Sequence, residues 1–295
     1  MVQHDPNPAA ESGVSTPSKG DLFGDRMKAY EAVSDARLDA RQPIYARIDG
    51  RNFSRFTRGM NRPFDSAMTH AMIETCSALV EHFHARIGYT QSDEIGLVWL
   101  FDGECQDPLF GGRVQKLCSV LAGYATAAFT AACLRDRRLR EDYLGRMPHF
   151  DCRVLSLPDK TEAANMLLWR EQDAYRNAVS MLAQSRFSHK QLHGQGRADM
   201  LRMLTDVDVD FEALPQAFKR GTFLQRVSFE RAFTAEELAA IPTAHRPAPD
   251  ALITRSEVRP LAIERFGDVA DREAVVFDGA LAPLAPVDDT QRLNK

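Results

Sequence analysis

The spacing of hydrophobic residues changes several times along the first half of the chain. Over 44–49 apolar and polar residues alternate until Gly50, which predicts a β-strand. Over 66–84 the apolar residues recur every three or four positions, which predicts a helix capped by Asp65 or Ser66. Two short apolar runs, 85–89 and 95–101, flank a polar tip and predict a β-hairpin.

The pattern continues with one more helix and one more strand. The stretch 114–134 is rich in Ala and Leu and predicts a helix, and 149–157 alternates like a strand before Pro158. The resulting order, β-α-β-β-α-β, is that of the ferredoxin-like unit. We therefore predict an α+β fold: a ferredoxin-like βαββαβ palm domain with a helical and short-strand C-terminal appendage.

The appendage is predicted to contain helices over 159–184 and 196–204, a Pro- and Ala-rich connection over 242–249, and short strands over 255–266 and 274–277. The domain organisation that follows is a disordered tail (1–20), a palm-like catalytic domain (21–158) and a mainly helical appendage (159–295), whose end after Pro283 is expected to be flexible.

Two carboxylates fall at one end of the predicted sheet. In the ferredoxin-like topology the first and third strands are adjacent and antiparallel, so Asp49 and Asp93 are predicted neighbours. Such a pair, beside the exposed backbone of Gly50, can hold two hard cations through oxygen ligands, as phosphoryl transfer requires. Either motif alone is better explained as a turn, because Asp-Gly is a common turn dipeptide. Only the pair in this topology favours a metal site.

Composition narrows the chemistry further. The five cysteines (Cys76, Cys105, Cys118, Cys133 and Cys152) form no C-x-x-C pair, so reduced thiols are expected, and a metal would be bound by oxygen. The chain starts without the basic and apolar segments of a signal peptide. No stretch is expected to be long and apolar enough to span a bilayer, because the run 117–134 is interrupted by polar residues and fits a buried helix better. We expect a soluble, cytoplasmic protein without a membrane partner.

The formal net charge is -4, so RNA binding would have to rest on local basic clusters. Candidates are the arginines of 135–140, the group His189, Lys190, His193 and Arg197, and the group Lys219, Arg220 and Arg226. The first is better explained as a solvated face. For the second, RNA binding and a polar loop between helices explain the residues about equally well.

Four stretches, in order, carry a family resemblance: 47–53 (Arg-Ile-Asp-Gly-Arg-Asn-Phe), 91–94 (Gln-Ser-Asp-Glu), 150–153 (Phe-Asp-Cys-Arg) and 169–173 (Trp-Arg-Glu-Gln-Asp). They resemble the signature stretches of the tRNA-His guanylyltransferase family, and most closely its bacterial 3′-5′ nucleotide-adding relatives. The resemblance runs from about Asp21 to the chain end, and four ordered motifs are far more specific than one.

The resemblance implies roles for individual residues. Asp49 and Asp93 would ligate two Mg²⁺ ions together with the carbonyl of Gly50, and Glu94 would be a catalytic residue in or next to that shell. The implied nucleotide-binding residues are Gly50, Arg51, Asn52, Phe53, Arg62, Ser92, Arg113 and Lys116, and the implied RNA-binding residues are Asn177, His189, Lys190 and His193. GTP and ATP would be substrates, tRNA or a tRNA-like RNA the partner, and the protein a homo-oligomer, with the family's tetramers as the precedent.

The chain departs from the eukaryotic members at two places. Their His-Ile-Asn-Asn-Leu-Tyr-Asn stretch is replaced by 175–181, where only Asn177 is kept, and Ser54 stands in place of a histidine. This favours the bacterial type, which extends 5′-truncated RNA on a Watson-Crick template. Two alternatives stay open: a palm-type nucleotidyl cyclase acting on free nucleotide, and a non-catalytic RNA-binding protein. The presence of Asp49, Asp93 and Glu94 argues against the second.

Overall fold

The computed structural model describes residues 23–39, 41–101, 108–248 and 250–279, with only the backbone of residue 244. The predicted tail (1–20), Cys105 and the end after Pro283 lie outside these ranges. The chain divides into two compact units, residues 1–36 and residues 37–295. The described part of the first unit contains helix α1 (Phe23–Ala32).

The second unit contains a six-stranded sheet and several helices. Its strands are β1 (Ile44–Gly50), β2 (Ile87–Gln91), β3 (Glu94–Trp99), β4 (Phe150–Ser156), β5 (Thr222–Ala232) and β6 (Leu252–Pro260). Its described α-helices are α2 (Phe53–Phe56), α3 (Ser66–Phe83), α4 (Val114–Arg135), α5 (Lys160–Arg186), α6 (His189–Leu192), α7 (Arg197–Thr205), α8 (Gln216–Arg220), α9 (Ala235–Ala240) and α10 (Arg272–Asp278). Short 3-10 or π turns lie at Leu109–Gly112, Leu139–Tyr143, Leu144–Arg146, Thr243–His245 and Phe266–Asp268.

The strands pair antiparallel in the order β4-β1-β3-β2-β5-β6. The first four follow the predicted ferredoxin-like order, with β1 and β3 side by side, so the predicted fold class is confirmed. β5 and β6 extend the same sheet beyond β2. The division of the chain at residue 158 into palm and appendage stays a prediction.

Successive side chains of a strand point to opposite faces of the sheet. Both faces of this sheet carry apolar side chains, and helices cover each of them. On one face Ile48 and Leu97 pack with residues of α3 and α4, such as Leu79 and Phe129. On the other face the core contains Tyr45 and residues of α5 and α10. The second half of α5 continues past the sheet and forms a third apolar cluster with α6, α7 and α8. Helix α5 therefore connects the sheet to a small helical layer.

Helix α4 is long and apolar enough to cross a membrane by length and composition alone. The expectation that no stretch would meet that criterion is therefore wrong. Its residues Leu117, Leu121 and Phe129 are buried in the second unit. This packing is what the sequence predicted for the run, a buried helix beside the sheet.

Two features of the appendage differ from the predictions. Strand β5 was not predicted, and residues 274–277, predicted as a strand, belong to helix α10. Asp271 caps α10 by accepting a hydrogen bond from the N-H of Ala274 (2.9 Å), and Gly279 ends it with φ +68°. A short apolar run does not distinguish a buried helix from a strand, and here the caps decide it.

Candidate active site

The backbone brings Asp49 and Asp93 together at one end of the sheet. The N-H of Gly50 donates to the carbonyl of Asp93 (2.9 Å), and Asp49 pairs in register with Glu94. Ser92 and Asp93 form the two-residue tip of the β2-β3 hairpin, with Ser92 in the left-handed region at φ +53°. The predicted neighbourhood of the two aspartates is thus present in the structure.

Gly50 is required by the packing of the residue that follows the turn. A Cβ at Gly50 would lie 2.6 Å from Cγ of the Phe53 ring, which is closer than nonbonded carbon atoms approach. Phe53 is buried, with ring centroids 5.0 Å from Phe150 and 5.6 Å from Phe129. Asn52 connects the two at φ 58°, a conformation that Asn tolerates better than most residues. The aromatic cluster therefore fixes the turn that carries the Asp49 end of β1.

The environment of Asp93 suits a cation. Burial raises the pKa of its carboxyl group, and the negative charge of Asp49 adds to the effect, while a hydrogen bond from Ser92 opposes it. A divalent ion would relieve this repulsion between like charges. Within the described residues no group of three His, Cys, Asp or Glu side chains is placed to hold a metal. The two aspartates fit Mg²⁺ all the same, because this ion is usually held by one or two carboxylates plus water and substrate phosphates.

Glu94 is held by two arginines. Arg170 of α5 forms a bidentate pair with it, Nε to Oε1 and Nη2 to Oε2, both at 2.5 Å. Arg47 Nε lies 2.6 Å from Glu94 Oε2, and Arg47 Nη2 lies 3.0 Å from Asp49 Oδ2. Burial opposes the charge of Arg170, but the bond to Glu94 prevails and raises the pKa of the guanidinium group. Arg170 and Arg47 therefore hold the carboxylate of Glu94 in a fixed orientation, whereas its predicted place in the metal shell stays a prediction.

The motif over 169–173 has a structural explanation that sequence reasoning did not assign. Arg170 reaches Glu94 from α5, and the next residue, the buried Glu171, pairs with Arg220 of α8 (2.6 Å). Asp173 Oδ2 lies 3.4 Å from Arg170 Nη1. The motif therefore joins α5 to the hairpin on one side and to α8 on the other. The sequence did contain a signal for this pairing, because Arg47 and Arg170 lie inside signature stretches, 47–53 and 169–173.

A cavity of about 440 Å³ adjoins the hairpin tip. Its polar wall includes Ser54, Arg62, Ser92 and Asp93, which stand beside the buried ring of Phe53. The opposite wall comes from the helical layer and from α3, with Met68, Met72, Met181, Gln184 and Phe218. Polar and apolar residues contribute about equally to the lining, which suits a ligand that has both an apolar part and charged or polar groups. The structure thus joins several predicted nucleotide-binding residues in one cavity.

The backbone of the turn is only partly free to bind phosphate. The N-H of Arg51 donates to the carbonyl of His149 (2.9 Å), so it is not free to bind a phosphate oxygen. In the part of the chain that the structure describes, the N-H groups of Asn52 and Phe53 donate to no backbone carbonyl. The side chain of Arg51 is exposed.

The structure does not bring Arg113 and Lys116 to this site. Both lie at the start of α4, whose later residue Phe129 contacts Phe53. At 1.5 Å per residue, Lys116 is about 20 Å along the helix from that contact. Within one chain they therefore cannot contact a triphosphate at Asp93, and that part of the prediction is corrected. The cause is the topology, since α4 begins at the opposite end of the sheet.

The predicted RNA-binding residues lie in the helical layer. His189 and Lys190 are exposed on α6, and His193 follows it, with its ring centroid 6.3 Å from that of His189. Asn177 is an exposed residue of α5, and its side chain contacts Asp173 (3.4 Å). None of these four is among the residues that line the 440 Å³ cavity. Their role in RNA binding stays a prediction.

A palm-type sheet with two adjoining aspartates beside a cavity of about 440 Å³ is the arrangement of the palm-type enzymes that act on nucleotide phosphates. The family model described as Thg1, tRNAHis guanylyltransferase, matches residues 24–158. Together with the bacterial structures described below, which share 30% or more of their residues with this chain over most of their length, this match shows that the chain belongs to the tRNA-His guanylyltransferase family, whose members are nucleotidyltransferases. The predicted activity, 3′-5′ addition at the 5′ end of tRNA, is confirmed as that of the family.

Three similar proteins illustrate the match. A bacterial tRNA-His guanylyltransferase-like protein in complex with ATP shares 37% identity, with a TM-score of 0.65, over 69% of this chain and 88% of that chain. A structure of such a bacterial protein in complex with GTP shares 30% identity, with a TM-score of 0.62, over 81% and 91%. Uncharacterized protein R259 of Acanthamoeba polyphaga mimivirus is 31% identical over 69% of this chain and 77% of its own length.

Proposed function

We propose that the chain is an Mg²⁺-dependent 3′-5′ nucleotidyltransferase that repairs the 5′ end of tRNA by templated addition. The observation that supports this most directly is the juxtaposition of Asp49 and Asp93 beside the 440 Å³ cavity. ATP and GTP complexes of bacterial relatives support a nucleotide triphosphate as the occupant of that cavity.

Asp49, Asp93 and the carbonyl of Gly50 would hold the Mg²⁺ ions, two of which are expected. When bound, the ions would neutralise phosphate oxygens and favour displacement at phosphorus. The remaining coordination positions fall to water and to the nucleotide, because this site supplies few protein ligands.

The cavity residues would position the nucleotide. The apolar wall, with Met181 and Phe218, suits a base and ribose, while Ser92 and Arg62 supply donors at the polar end. The 3′-hydroxyl of this nucleotide would attack the α-phosphorus of the RNA end, the phosphorus bonded to the 5′-oxygen of the first nucleotide, and would lose its proton to water. A phosphodiester bond forms, and the bond to the leaving group breaks, with pyrophosphate leaving a 5′-triphosphate end and AMP leaving an ATP-activated end. Orientation of the two reactants would account for much of the rate.

Template-directed selection agrees with the residues that differ from the eukaryotic stretch. Asn177, the one residue kept, lies on an exposed surface of α5 and contacts Asp173 within its own helix. Base pairing to a template would supply the discrimination and would require little base recognition by the protein. The structure of the cavity, with Met and Phe side chains, fits such tolerance.

The remaining expectations join the proposal. Action on tRNA supports a cytoplasmic location, and the buried face of α4 supports a protein without a membrane partner. A homo-oligomer would provide a second chain whose Arg113 and Lys116 could contact the triphosphate. Sedimentation velocity tests the oligomeric state.

The proposal is tested with tRNA that lacks its first 5′ nucleotide, carrying either a triphosphate or a monophosphate end. Purified protein, Mg²⁺ and each labelled nucleotide triphosphate are added, and the base opposite the missing position is varied. Addition should follow that base and should disappear in Asp49→Asn and in Asp93→Asn. The matched control is Asp206→Asn, an exposed carboxylate at the end of α7, which should retain activity.

The outcomes separate the alternatives. Addition to the monophosphate end only in the presence of ATP would show that activation precedes addition. Strict addition of G regardless of the template would show that the protein is a tRNA-His guanylyltransferase and not a templated repair enzyme. RNA-independent conversion of a free nucleotide would favour the cyclase, and RNA binding without either activity would favour the non-catalytic protein.

A further inference from the structure

A second cavity, of about 800 Å³, lies on the other side of α8 from the nucleotide cavity. Ala217 and Phe218 of this helix line the nucleotide cavity, whereas Lys219 and Arg220 line the second. The rest of its wall comes from α5, from the start of α7 and from residues 264–265. We call it the α8 groove. The two cavities are about 10 Å apart, the width of one helix.

The α8 groove concentrates positive charge in a chain whose formal net charge is -4. Its lining contains five cationic side chains, Arg176, Arg197, Lys219, Arg220 and Arg265, and two carboxylates, Glu212 and Glu264. Low-dielectric walls focus such a field and attract anions. Four of these cations have a carboxylate partner: Arg176 with Asp173, Lys219 with Glu212, Arg220 with Glu171 and Arg265 with Asp268. The case for an anionic ligand therefore rests on Arg197, which has no such partner among the described residues, and on Arg265, whose pair is exposed.

Two arginines of the groove stack on one aromatic ring. The guanidinium carbon of Arg220 lies 4.1 Å from the ring centroid of Tyr175, and that of Arg197 lies 5.7 Å away. The ring itself is held edge-to-face against the buried Phe211, at 5.3 Å. Arg220 is fixed further by the buried Glu171 (2.6 Å). The floor of the groove is therefore rigid.

Other cations of the groove are available to a ligand. Arg197 forms no ion pair within the described residues, and Arg265 has only an exposed pair with Asp268 (3.5 Å). Exposed pairs of this kind contribute little and are easily exchanged for another anion. Planar guanidinium groups bind phosphate through two parallel hydrogen bonds, and they also stack on bases.

From these observations we infer that the α8 groove binds the phosphate backbone of an RNA strand, a few nucleotides from the 5′ end held at Asp93. The inference rests on the proposed function, because it takes RNA as the substrate. At 3.4 Å per nucleotide along a strand, about three nucleotides span the width of α8. The groove would thus hold the strand next to the reacting end, apart from the predicted cluster at His189, Lys190 and His193.

The test uses a variant in which two available arginines lose their charge, Arg197→Gln with Arg265→Gln. Its matched control also loses two exposed arginines, Arg202→Gln with Arg255→Gln; Arg202 lies on the same helix as Arg197 but outside the groove, and Arg255 lies on β6. Binding of fluorescein-labelled, 5′-truncated tRNA is measured by anisotropy at several salt concentrations. Binding of a fluorescent ATP analogue with Mg²⁺ reports on the nucleotide cavity.

The groove variant should bind the tRNA about tenfold more weakly at low salt. The slope of log K against log salt should become shallower by about 2, one for each phosphate contact. KM for the tRNA should rise while kcat and binding of the ATP analogue stay unchanged. The control variant should keep the wild-type tRNA affinity.

Two results would overturn the inference and leave the proposed function standing. Equal losses in the groove variant and the control would assign the effect to overall charge. Unchanged tRNA binding by the groove variant, while templated addition continues, would overturn this inference alone and favour another anion, such as an acidic peptide. Failure of the wild-type protein to bind or extend RNA would instead refute the proposed function, and the inference with it.

Discussion

The ion pair between Glu94 and Arg170 predicts that Glu94 stabilises the protein through this pair and does not ligate a metal. Both side chains are only about one tenth exposed (10% and 11%), and two hydrogen bonds of 2.5 Å join them. Arg170→Met would leave Glu94 with Arg47 alone and should lower the free energy of unfolding by about 3 kcal/mol. Glu94→Gln should cost about 2 kcal/mol, because it leaves Arg170 without its carboxylate.

The double variant should cost no more than the larger single change, since neither residue then leaves the other charge unpaired. We therefore expect a coupling energy of about 2 kcal/mol, measured by urea denaturation of the four proteins at pH 7. Mg²⁺ or Mn²⁺ binding, measured in parallel, should be nearly unchanged in Glu94→Gln and strongly weakened in Asp93→Asn. Additive stability losses would refute the pairing argument, and equal loss of metal in both variants would make Glu94 a ligand.

Three further predictions concern packing, acid stability and thiol reactivity. Gly50→Ala should lower the free energy of unfolding by about 1–3 kcal/mol, because its Cβ would displace the ring of Phe53; an unchanged melting temperature would contradict this. Burial alone would raise the pKa of Asp65, but its bonds to Arg138 and to two backbone N-H groups prevail and lower it. Asp65→Asn should therefore cost about 2 kcal/mol at pH 7, and the difference from the wild type should shrink as the pH falls below about 4, as urea denaturation from pH 7 to pH 3 would show. Burial raises the pKa of Cys133 to about 12, with nearby carboxylates adding to the effect, so native protein at pH 8 should not react there with iodoacetamide. Mass spectrometry that finds Cys133 labelled before unfolding would contradict this.

Strand β5 shows why part of the appendage could not be predicted. Its partner β2 lies more than a hundred residues earlier, at Gly88–Thr90, and its later half pairs only with β6. A strand depends on its partner for its hydrogen bonds, and no pattern within 222–232 names that partner. The basic residues Lys219, Arg220 and Arg226 indicated a charged cluster there, and the structure shows them at the end of α8 and within β5.

The assignment of Arg113 and Lys116 shows a different limit. The resemblance to the family predicted that these two residues contact phosphate. Helix α4, however, begins at the end of the sheet opposite the aspartates, and both residues lie at that beginning. A sequence motif carries no distance along a helix, and a helix of 22 residues is about 33 Å long.

The sequence by itself determined the βαββαβ order, the position of Asp49 and Asp93 at one sheet end, and the family. It could do so because helix and strand periodicities, caps and turn residues are local properties, and the four motifs occur in a specific order. Only the tertiary structure decided that Arg170 orients Glu94, that Phe53 requires Gly50, and that Arg197 and Arg220 both contact the ring of Tyr175 in the α8 groove. These contacts join residues far apart in the chain, or depend on distances of a few tenths of an ångström, and packing alone sets both.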